Sequence, residues 1–153
     1  MPFAPRALSV LSVLAALLMT AACGDDDGTG GSAPTDAGAP VDCDALLTPA
    51  DFTAVCGAPV TLVPSAFEGI ALNPCNRASA DGAAVLLVTE HPNPSVAASA
   101  AEVAGGRVPT EDVGGLFNSA GAAGIYAVEV KAEPGTCDTA QLPMLLDLAL
   151  GRL

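Results

Sequence analysis

Five cysteines are the residues of this chain whose number and spacing say most about chemistry. Their positions are Cys23, Cys43, Cys56, Cys75 and Cys137. No two of them form a Cys-x-x-Cys pair, and His91 is the only histidine, so neither a zinc site nor a thiol oxidoreductase is expected. The last four cysteines are expected to form structural disulfides in an oxidising compartment. Four cysteines allow three pairings, and their spacing does not choose among them.

Side chains suited to nucleophilic catalysis are sparse. His91 lies between Glu90 and Pro92 at the end of a predicted strand, where it is expected to be a loop residue. Ser119 lacks the preceding glycine of a nucleophile elbow and is expected in a turn. We therefore predict no catalytic residue, no metal ligand and no cofactor, and we do not expect an enzyme.

Carboxylates offer the alternative chemistry. Two pairs of acids lie close together in the sequence, and they are Glu111, Asp112, Glu129 and Glu133. Paired carboxylates hydrolyse glycosidic bonds, but the chain has one tyrosine and no tryptophan to form a sugar platform. A solvated acidic surface is expected, and a carboxylate-dependent envelope hydrolase is the alternative function.

Composition limits the classes of partner. The chain has 153 residues, which suits one domain, and its formal net charge is −12, with five Lys and Arg against 17 Asp and Glu. This balance excludes nucleic acid, whose phosphates are bound by Lys and Arg, and disfavours docking on anionic lipid headgroups. Because only 3% of the residues are aromatic, the core must be built from Val, Leu and Ala, and disulfides would help to stabilise it.

The N-terminus has the pattern of a secretory signal peptide over residues 1–22. Arg6 precedes an apolar run at residues 7–18, and small residues lead to Cys23. The apolar run is too short to span a membrane and is followed at once by three aspartates at residues 25–27. Segment 23–41 is rich in Gly, Pro, Ala and Asp and is expected to be a flexible acidic tether.

The residues around the predicted cleavage site resemble the bacterial lipobox. Ala21, Ala22 and Cys23 match that motif, whereas Thr20 stands where leucine is usual. The resemblance implies that Cys23 is acylated and anchors the protein to a membrane. Acylation of Cys23 would also leave an even number of cysteines to pair. Ordinary cleavage after Ala22, without lipid, is the alternative.

Residues 42–153 are expected to form one α+β domain. Thr48, Pro49 and Asp51 form the start of a helix that ends at Gly57. Strands are predicted at 59–63, 83–89 and 125–131, and further helices at 94–104 and 139–150. This order predicts a small antiparallel sheet packed by two or three short helices and stapled by disulfides.

The opening of this domain resembles a family of small bacterial cell-envelope lipoproteins of unknown function. The resemblance lies in Cys43-Asp44-Ala45-Leu46-Leu47-Thr48-Pro49-Ala50-Asp51-Phe52, followed by Gly57 and by Cys75 at the start of a strand. It implies an envelope location and a Cys43–Cys75 bridge, which would pair Cys56 with Cys137. The chain departs from the family by adding Cys56 and Cys137 and by lacking an aromatic residue after Cys75. The family implies no reaction.

Taken together, the sequence predicts a lipid-anchored, extracytoplasmic envelope protein with a non-catalytic binding or sensor-like domain. Its expected partners are the membrane, through the N-terminal lipid, and an envelope protein or small ligand.

Overall fold

The structure is a computed structural model that describes residues 40–112 and 114–153. The predicted signal peptide, Cys23 and most of the predicted tether lie outside the described residues. The described residues all belong to one compact unit. Among them, no helix is both long enough and apolar enough to cross a membrane.

The described chain forms a six-stranded sheet with four α-helices. In chain order these are α1 (Cys43–Leu46), α2 (Pro49–Cys56), β1 (Leu62–Pro64), β2 (Cys75–Ser79), β3 (Ala84–Glu90), α3 (Pro94–Val103), β4 (Thr110–Glu111), β5 (Phe117–Ala123), β6 (Tyr126–Ala132) and α4 (Leu142–Leu150). The strands lie in the order β1-β2-β3-β6-β5-β4, and every neighbouring pair is antiparallel. The predicted α+β class, the single small domain and the antiparallel sheet are confirmed.

Helix α2 begins and ends where its sequence predicts. The Thr48 side chain accepts a hydrogen bond from the Asp51 N–H, and the Asp51 carboxylate accepts one from the Thr48 N–H at 2.7 Å. This reciprocal capping box satisfies backbone donors that the first helical turn leaves unpaired. Gly57 ends the helix with a positive φ of 85°, a conformation that favours glycine.

One face of the sheet, which we call the leucine face, carries large apolar side chains. Strand β6 alternates as predicted, with Val128 and Val130 on this face beside Leu86 and Val88 of β3. Helix α4 packs here, and α1 and α2 pack against α4. The large side chains that the helices contribute, all fully buried, are Leu46, Phe52, Leu142, Leu145 and Leu146.

The opposite face of β5 and β6, which we call the alanine face, is covered by α3. Ala101 of α3 packs against Ala120 of β5 and Ala127 of β6, and all three are buried. The partly buried side chains around them are also alanines. Small side chains therefore line both sides of this contact.

The structure corrects two sequence predictions. The first strand is Leu62–Pro64 rather than 59–63. Ser119 is not in a turn but in the middle of β5, where its side chain is fully buried. Two residues further on, Gly121 lies beneath α4. A Cβ atom there would approach Leu150 Cδ1 to 2.8 Å and Leu146 Cδ2 to 3.3 Å. The close passage of α4 therefore explains the glycine at position 121, and the contact with α3 on the other face explains the small Ala120 and Ala122.

Candidate functional site

Two disulfides connect the helices of the leucine face to the rest of the domain. Cys43 in α1 is bonded to Cys75 at the start of β2, and Cys56 at the end of α2 is bonded to Cys137, which precedes α4. The predicted disulfides are present, in the pairing that the family resemblance implies. Because disulfides persist in oxidising compartments, they indicate an extracytoplasmic location.

The corner of the domain where the chain enters is organised by a buried arginine. Arg77 in β2 is only 7% exposed, and its Nε donates a hydrogen bond to Glu68 Oε2 at 2.9 Å. Its Nη1 forms an ion pair with Asp44 of α1. Burial disfavours the charged guanidinium, but the carboxylates of Glu68 and Asp44 outweigh this effect and raise the pKa of Arg77. Arg77 thus stays cationic and holds the segment that contains Glu68 against α1.

That segment is the connection between β1 and β2, residues 65–74, which we call the apolar loop. Its backbone folds back on itself, because Gly69 N–H donates to Asn73 O at 2.8 Å and Asn73 N–H donates to Ile70 O at 3.1 Å. The loop is also fastened to the end of β3, where Glu90 N–H donates to the carbonyl oxygen of Leu72 at 2.7 Å. These bonds give the apolar loop a defined backbone rather than an open one.

The apolar loop presents three large apolar side chains to solvent. Phe67 is 64% exposed, Ile70 is 54% exposed and Leu72 is 55% exposed. Its only charged residue, Glu68, is occupied by Arg77. Single exposed apolar side chains are ordinary, but three in one ordered ten-residue loop form a candidate contact surface.

Sequence reasoning missed these three residues. Positions 67, 70 and 72 fit neither the 3.6-residue period of a helix nor the two-residue period of a strand, so they gave no signal of secondary structure. The available signal was their position between Pro64 and Pro74, around Gly69, in a stretch where polar residues are usual.

Two of the four predicted carboxylates come together, but around a cation. Lys131 Nζ lies 3.3 Å from Asp112 Oδ2 and 3.4 Å from Glu129 Oε2. Glu111 and Glu133 are exposed. Burial favours the protonated form of Asp112, yet hydrogen bonds from the Gly114 N–H and from Lys131 outweigh it and lower the pKa of Asp112. A general acid needs a raised pKa, so this arrangement suits a structural ion pair better than hydrolysis.

The residues considered for nucleophilic catalysis are not activated. Ser119 Oγ donates its proton to the carbonyl oxygen of Arg107 at 2.9 Å. His91 follows β3 in a loop, as predicted, and its backbone N–H donates a hydrogen bond to the carbonyl oxygen of Ile125. Its Nε2 is buried and has no hydrogen-bond partner within the described part of the chain. Neither contact gives Ser119 a base to receive its proton.

All four cationic side chains within residues 40–112 and 114–153 are engaged by carboxylates. Besides Arg77 and Lys131, Arg107 pairs with Asp147, and Arg152 pairs with Asp51. Acidic residues remain in excess, so the described domain has an acidic surface without an unpaired Lys or Arg.

Two open grooves on the described residues are further candidate sites. One of about 590 Å³ runs between α2 and α4 and is lined by Asp51, Ala54, Val55, Met144, Asp147 and Leu148. Another of about 300 Å³ is lined by residues that include Val60, Asp81 and Thr136. Both volumes are within reach of a small ligand, but the aspartates of the larger groove are already paired with Arg152 and Arg107.

No cluster of three or more His, Cys, Asp or Glu side chains suited to a metal ion occurs in the described ranges. Comparisons with protein-family models, with curated proteins and with solved structures found no match for this chain. The family resemblance of residues 43–57 therefore stays a prediction, and functional inference depends on the residues themselves.

Proposed function

We propose that this chain is a bacterial lipoprotein of the cell envelope, acylated at Cys23 and anchored to a membrane. Its extracytoplasmic domain would bind an envelope protein or a small ligand and would not catalyse a reaction. The observation that carries the proposal is cysteine pairing. Cys43, Cys56, Cys75 and Cys137 are used by two internal disulfides, so none of them is available to pair with Cys23.

The position of Cys23 gives that cysteine a different role. It follows an apolar run and two alanines and precedes a polar stretch, the pattern in which a cysteine becomes the acylated first residue of a mature chain. An acidic surface with paired cations could not hold the domain on anionic headgroups. Covalent lipid would supply the attachment that the charge of the domain does not.

The non-catalytic role is supported by the state of the candidate groups. The Ser119 proton is donated to a backbone carbonyl, and the pKa of Asp112 is lowered beside Lys131. Neither a nucleophile with its base nor a carboxylic acid held protonated at neutral pH is assembled from them. Binding is the simpler use of a small stapled domain with an exposed apolar loop.

The test is the intact mass of the detergent-extracted protein, measured without reduction and before and after alkylation. We expect a mass that begins at Cys23 with added acyl chains, and no thiol that reacts with the alkylating agent. An unacylated mass with one reactive thiol would contradict the proposal and indicate a secreted protein with an unpaired cysteine.

Two variants make that measurement specific. Cys23→Ser should abolish the added acyl mass, because the hydroxyl cannot form the thioether that carries the lipid. Thr20→Leu, which brings the motif closer to the usual lipobox, should retain the acyl mass and serves as the matched control. Turnover of an envelope substrate that is lost in Asp112→Asn or Glu129→Gln would contradict the non-catalytic role.

A further inference from the structure

The exposed side chains of the apolar loop lie at the corner where the chain enters the domain. Cys43 lies two residues after the end of the predicted tether and is bonded to Cys75, the residue after the last residue of the loop. Its Sγ atom also lies 3.3 Å from the carbonyl oxygen of Pro74. The end of the tether and the end of the apolar loop are therefore covalently fixed beside each other.

The length of the predicted tether sets the average distance between this corner and an anchor at Cys23. A random coil of eighteen residues, the length from position 24 to position 41, has a root-mean-square span of roughly 20–25 Å and an extended reach of about 60 Å. A domain of this size has a radius of gyration of about 13 Å, so its diameter exceeds that span. An anchored domain would thus carry the N-terminal corner, and the apolar loop with it, towards the bilayer.

The charge of the apolar loop suits the interface of a zwitterionic bilayer. Glu68 pairs with Arg77, which also pairs with Asp44 of α1, so Phe67, Ile70 and Leu72 can leave water without taking a lone carboxylate of the loop with them. The domain presents no unpaired Lys or Arg within the described ranges for anionic headgroups. The excess of acids over the rest of the domain would instead be repelled by such headgroups.

The defined backbone of the apolar loop favours this role further. Its hydrogen bonds to Glu90 and within the loop hold the three side chains outward before any contact is made. Ordering a loop on binding costs free energy, and this loop has little such cost left to meet. A weak apolar contact can therefore be effective when an anchor already holds the domain near the membrane.

From these observations we propose that Phe67, Ile70 and Leu72 insert into the interface of a zwitterionic lipid bilayer and orient the anchored domain on it. This proposal rests on the membrane anchoring of the proposed function. It adds a second, non-covalent contact to the membrane and fixes which side of the domain faces away from it. The edge strand β4 and the segment before it, at the opposite edge of the sheet from β1, would then face the aqueous side.

Because the sequence contains no tryptophan, the fluorescence of a single introduced tryptophan reports on its own surroundings. We would place a single tryptophan at the loop through Phe67→Trp and, as a matched control, at an exposed valine before β4 through Val108→Trp, which is 75% exposed. Residues 23–153 of each variant would be coupled through the Cys23 thiol to a maleimide lipid in phosphatidylcholine vesicles. This coupling supplies the anchor whether or not the cell acylates Cys23, so its result is independent of the mass measurement that tests the proposed function.

We expect the fluorescence of the probe at position 67 to shift to shorter wavelength and to be quenched by brominated phosphatidylcholine. The probe at position 108 should show neither change. Replacing part of the phosphatidylcholine with phosphatidylglycerol should reduce the quenching at position 67. Adding Ile70→Asn and Leu72→Asn should reduce it further while the circular dichroism spectrum stays unchanged.

Other outcomes would overturn the proposal. An unshifted, unquenched probe at position 67 would show that the apolar loop stays in water, and equal quenching at both positions would show adsorption without orientation. Stronger quenching with phosphatidylglycerol would contradict the charge argument. A blue shift that grows with protein concentration in the absence of vesicles would assign the apolar loop to a contact between two copies of the chain.

Discussion

The two faces of the sheet are packed with side chains of different size. On the leucine face, α4 packs through Leu142, Leu145 and Leu146, all fully buried. On the alanine face, α3 packs through Ala101 against alanines of the sheet, and Ala97 of the same helix is also buried. A leucine removes far more apolar surface from water than an alanine does, so the leucine face should supply most of the hydrophobic stabilisation.

The helices of the leucine face are also held by more covalent and polar contacts than α3 is. Both disulfides connect elements of the leucine face, and Arg152, after α4, donates hydrogen bonds to Asp51 and to the carbonyl oxygens of Ala45 and Leu46. Helix α3 contains no cysteine. Free energies of local opening vary within a domain according to such differences, so α3 is expected to open at a lower free energy than α4.

The largest effect is expected when the disulfide between α2 and the segment before α4 is removed. Cys56 and Cys137 are 81 residues apart in the sequence, so their bond restricts the unfolded chain strongly. The double variant Cys56→Ala with Cys137→Ala should lower the free energy of unfolding by about 4 kcal/mol. Urea unfolding measures this loss. Cys43→Ala with Cys75→Ala is the control; its separation of 32 residues predicts a loss smaller by about 1 kcal/mol. A larger loss for the control pair would show that chain entropy does not govern these bridges.

The next effect comes from the packing of α4 itself. Leu146→Ala removes a fully buried side chain above Gly121 and should lower the free energy of unfolding by about 3 kcal/mol, through lost burial and a residual cavity. Met144→Ala, on the same helix but 56% exposed, should cost much less. Similar losses for the two variants in urea unfolding would mean that α4 is not packed as described.

A smaller effect is expected for the ion pair that ties α2 to the end of α4. Hydrogen bonds from Arg152, then from the Thr48 backbone and hydroxyl, outweigh burial and hold the pKa of Asp51 well below its ordinary value. A depressed pKa stabilises the folded state above the unfolded pKa of about 3.9, and this contribution is lost as the pH falls towards the folded value. Asp51→Asn should therefore cost about 2 kcal/mol at neutral pH.

The pH dependence tests the cause of that loss. The difference in stability between the wild-type protein and Asp51→Asn should shrink as the pH falls from about 5 to about 2. Asp138→Asn, at an exposed aspartate that precedes the short 3-10 helix Thr139–Gln141 before α4, is the matched control. A difference that stays constant over this range would show that Asp51 acts through capping geometry alone.

The smallest effect is expected on the alanine face. Ala101→Gly removes one buried methyl group and adds backbone freedom in α3, which should lower the free energy of unfolding by about 1 kcal/mol. Native-state hydrogen exchange should show that the amides of α3 lose protection before those of α4. If α3 amides instead exchange only with global unfolding, the alanine contact is as cooperative as the leucine contact and the contrast between the faces fails.

Features that depend on neighbouring residues could be predicted from the sequence, and features that depend on tertiary contacts could not. The capping box of Thr48 and Asp51, the alternation of Val128 and Val130, and the apolar periodicity of α4 depend on neighbouring residues and were predicted. Strand β5 depends on what lies above it. Its small residues resemble a turn until α4 is seen to pass over Gly121, and no local pattern encodes that passage.

The same limit applies to the candidate sites. The number of cysteines predicted disulfides correctly, and the carboxylates near residues 111 and 129 were identified, but only the structure places Lys131 between Asp112 and Glu129. The exposure of Phe67, Ile70 and Leu72 was signalled only by their position between two prolines, because an apolar side chain in a short sequence window looks the same whether it is buried or presented to solvent.

The Cys43–Cys75 bond also sets the mechanical route by which a membrane anchor would pull on the domain. Tension arriving along the segment before Cys43 passes through the disulfide into β2, and thus into the hydrogen-bonded sheet. Residues 44–74, including α1, α2 and the apolar loop, form a longer route, and within them Cys56 leads through its own disulfide to Cys137, so they bear less of the load than the direct Cys43–Cys75 bond. Reduction of this bond would move the load onto α1 and α2, and short helices yield to pulling more readily than strands sheared within a sheet.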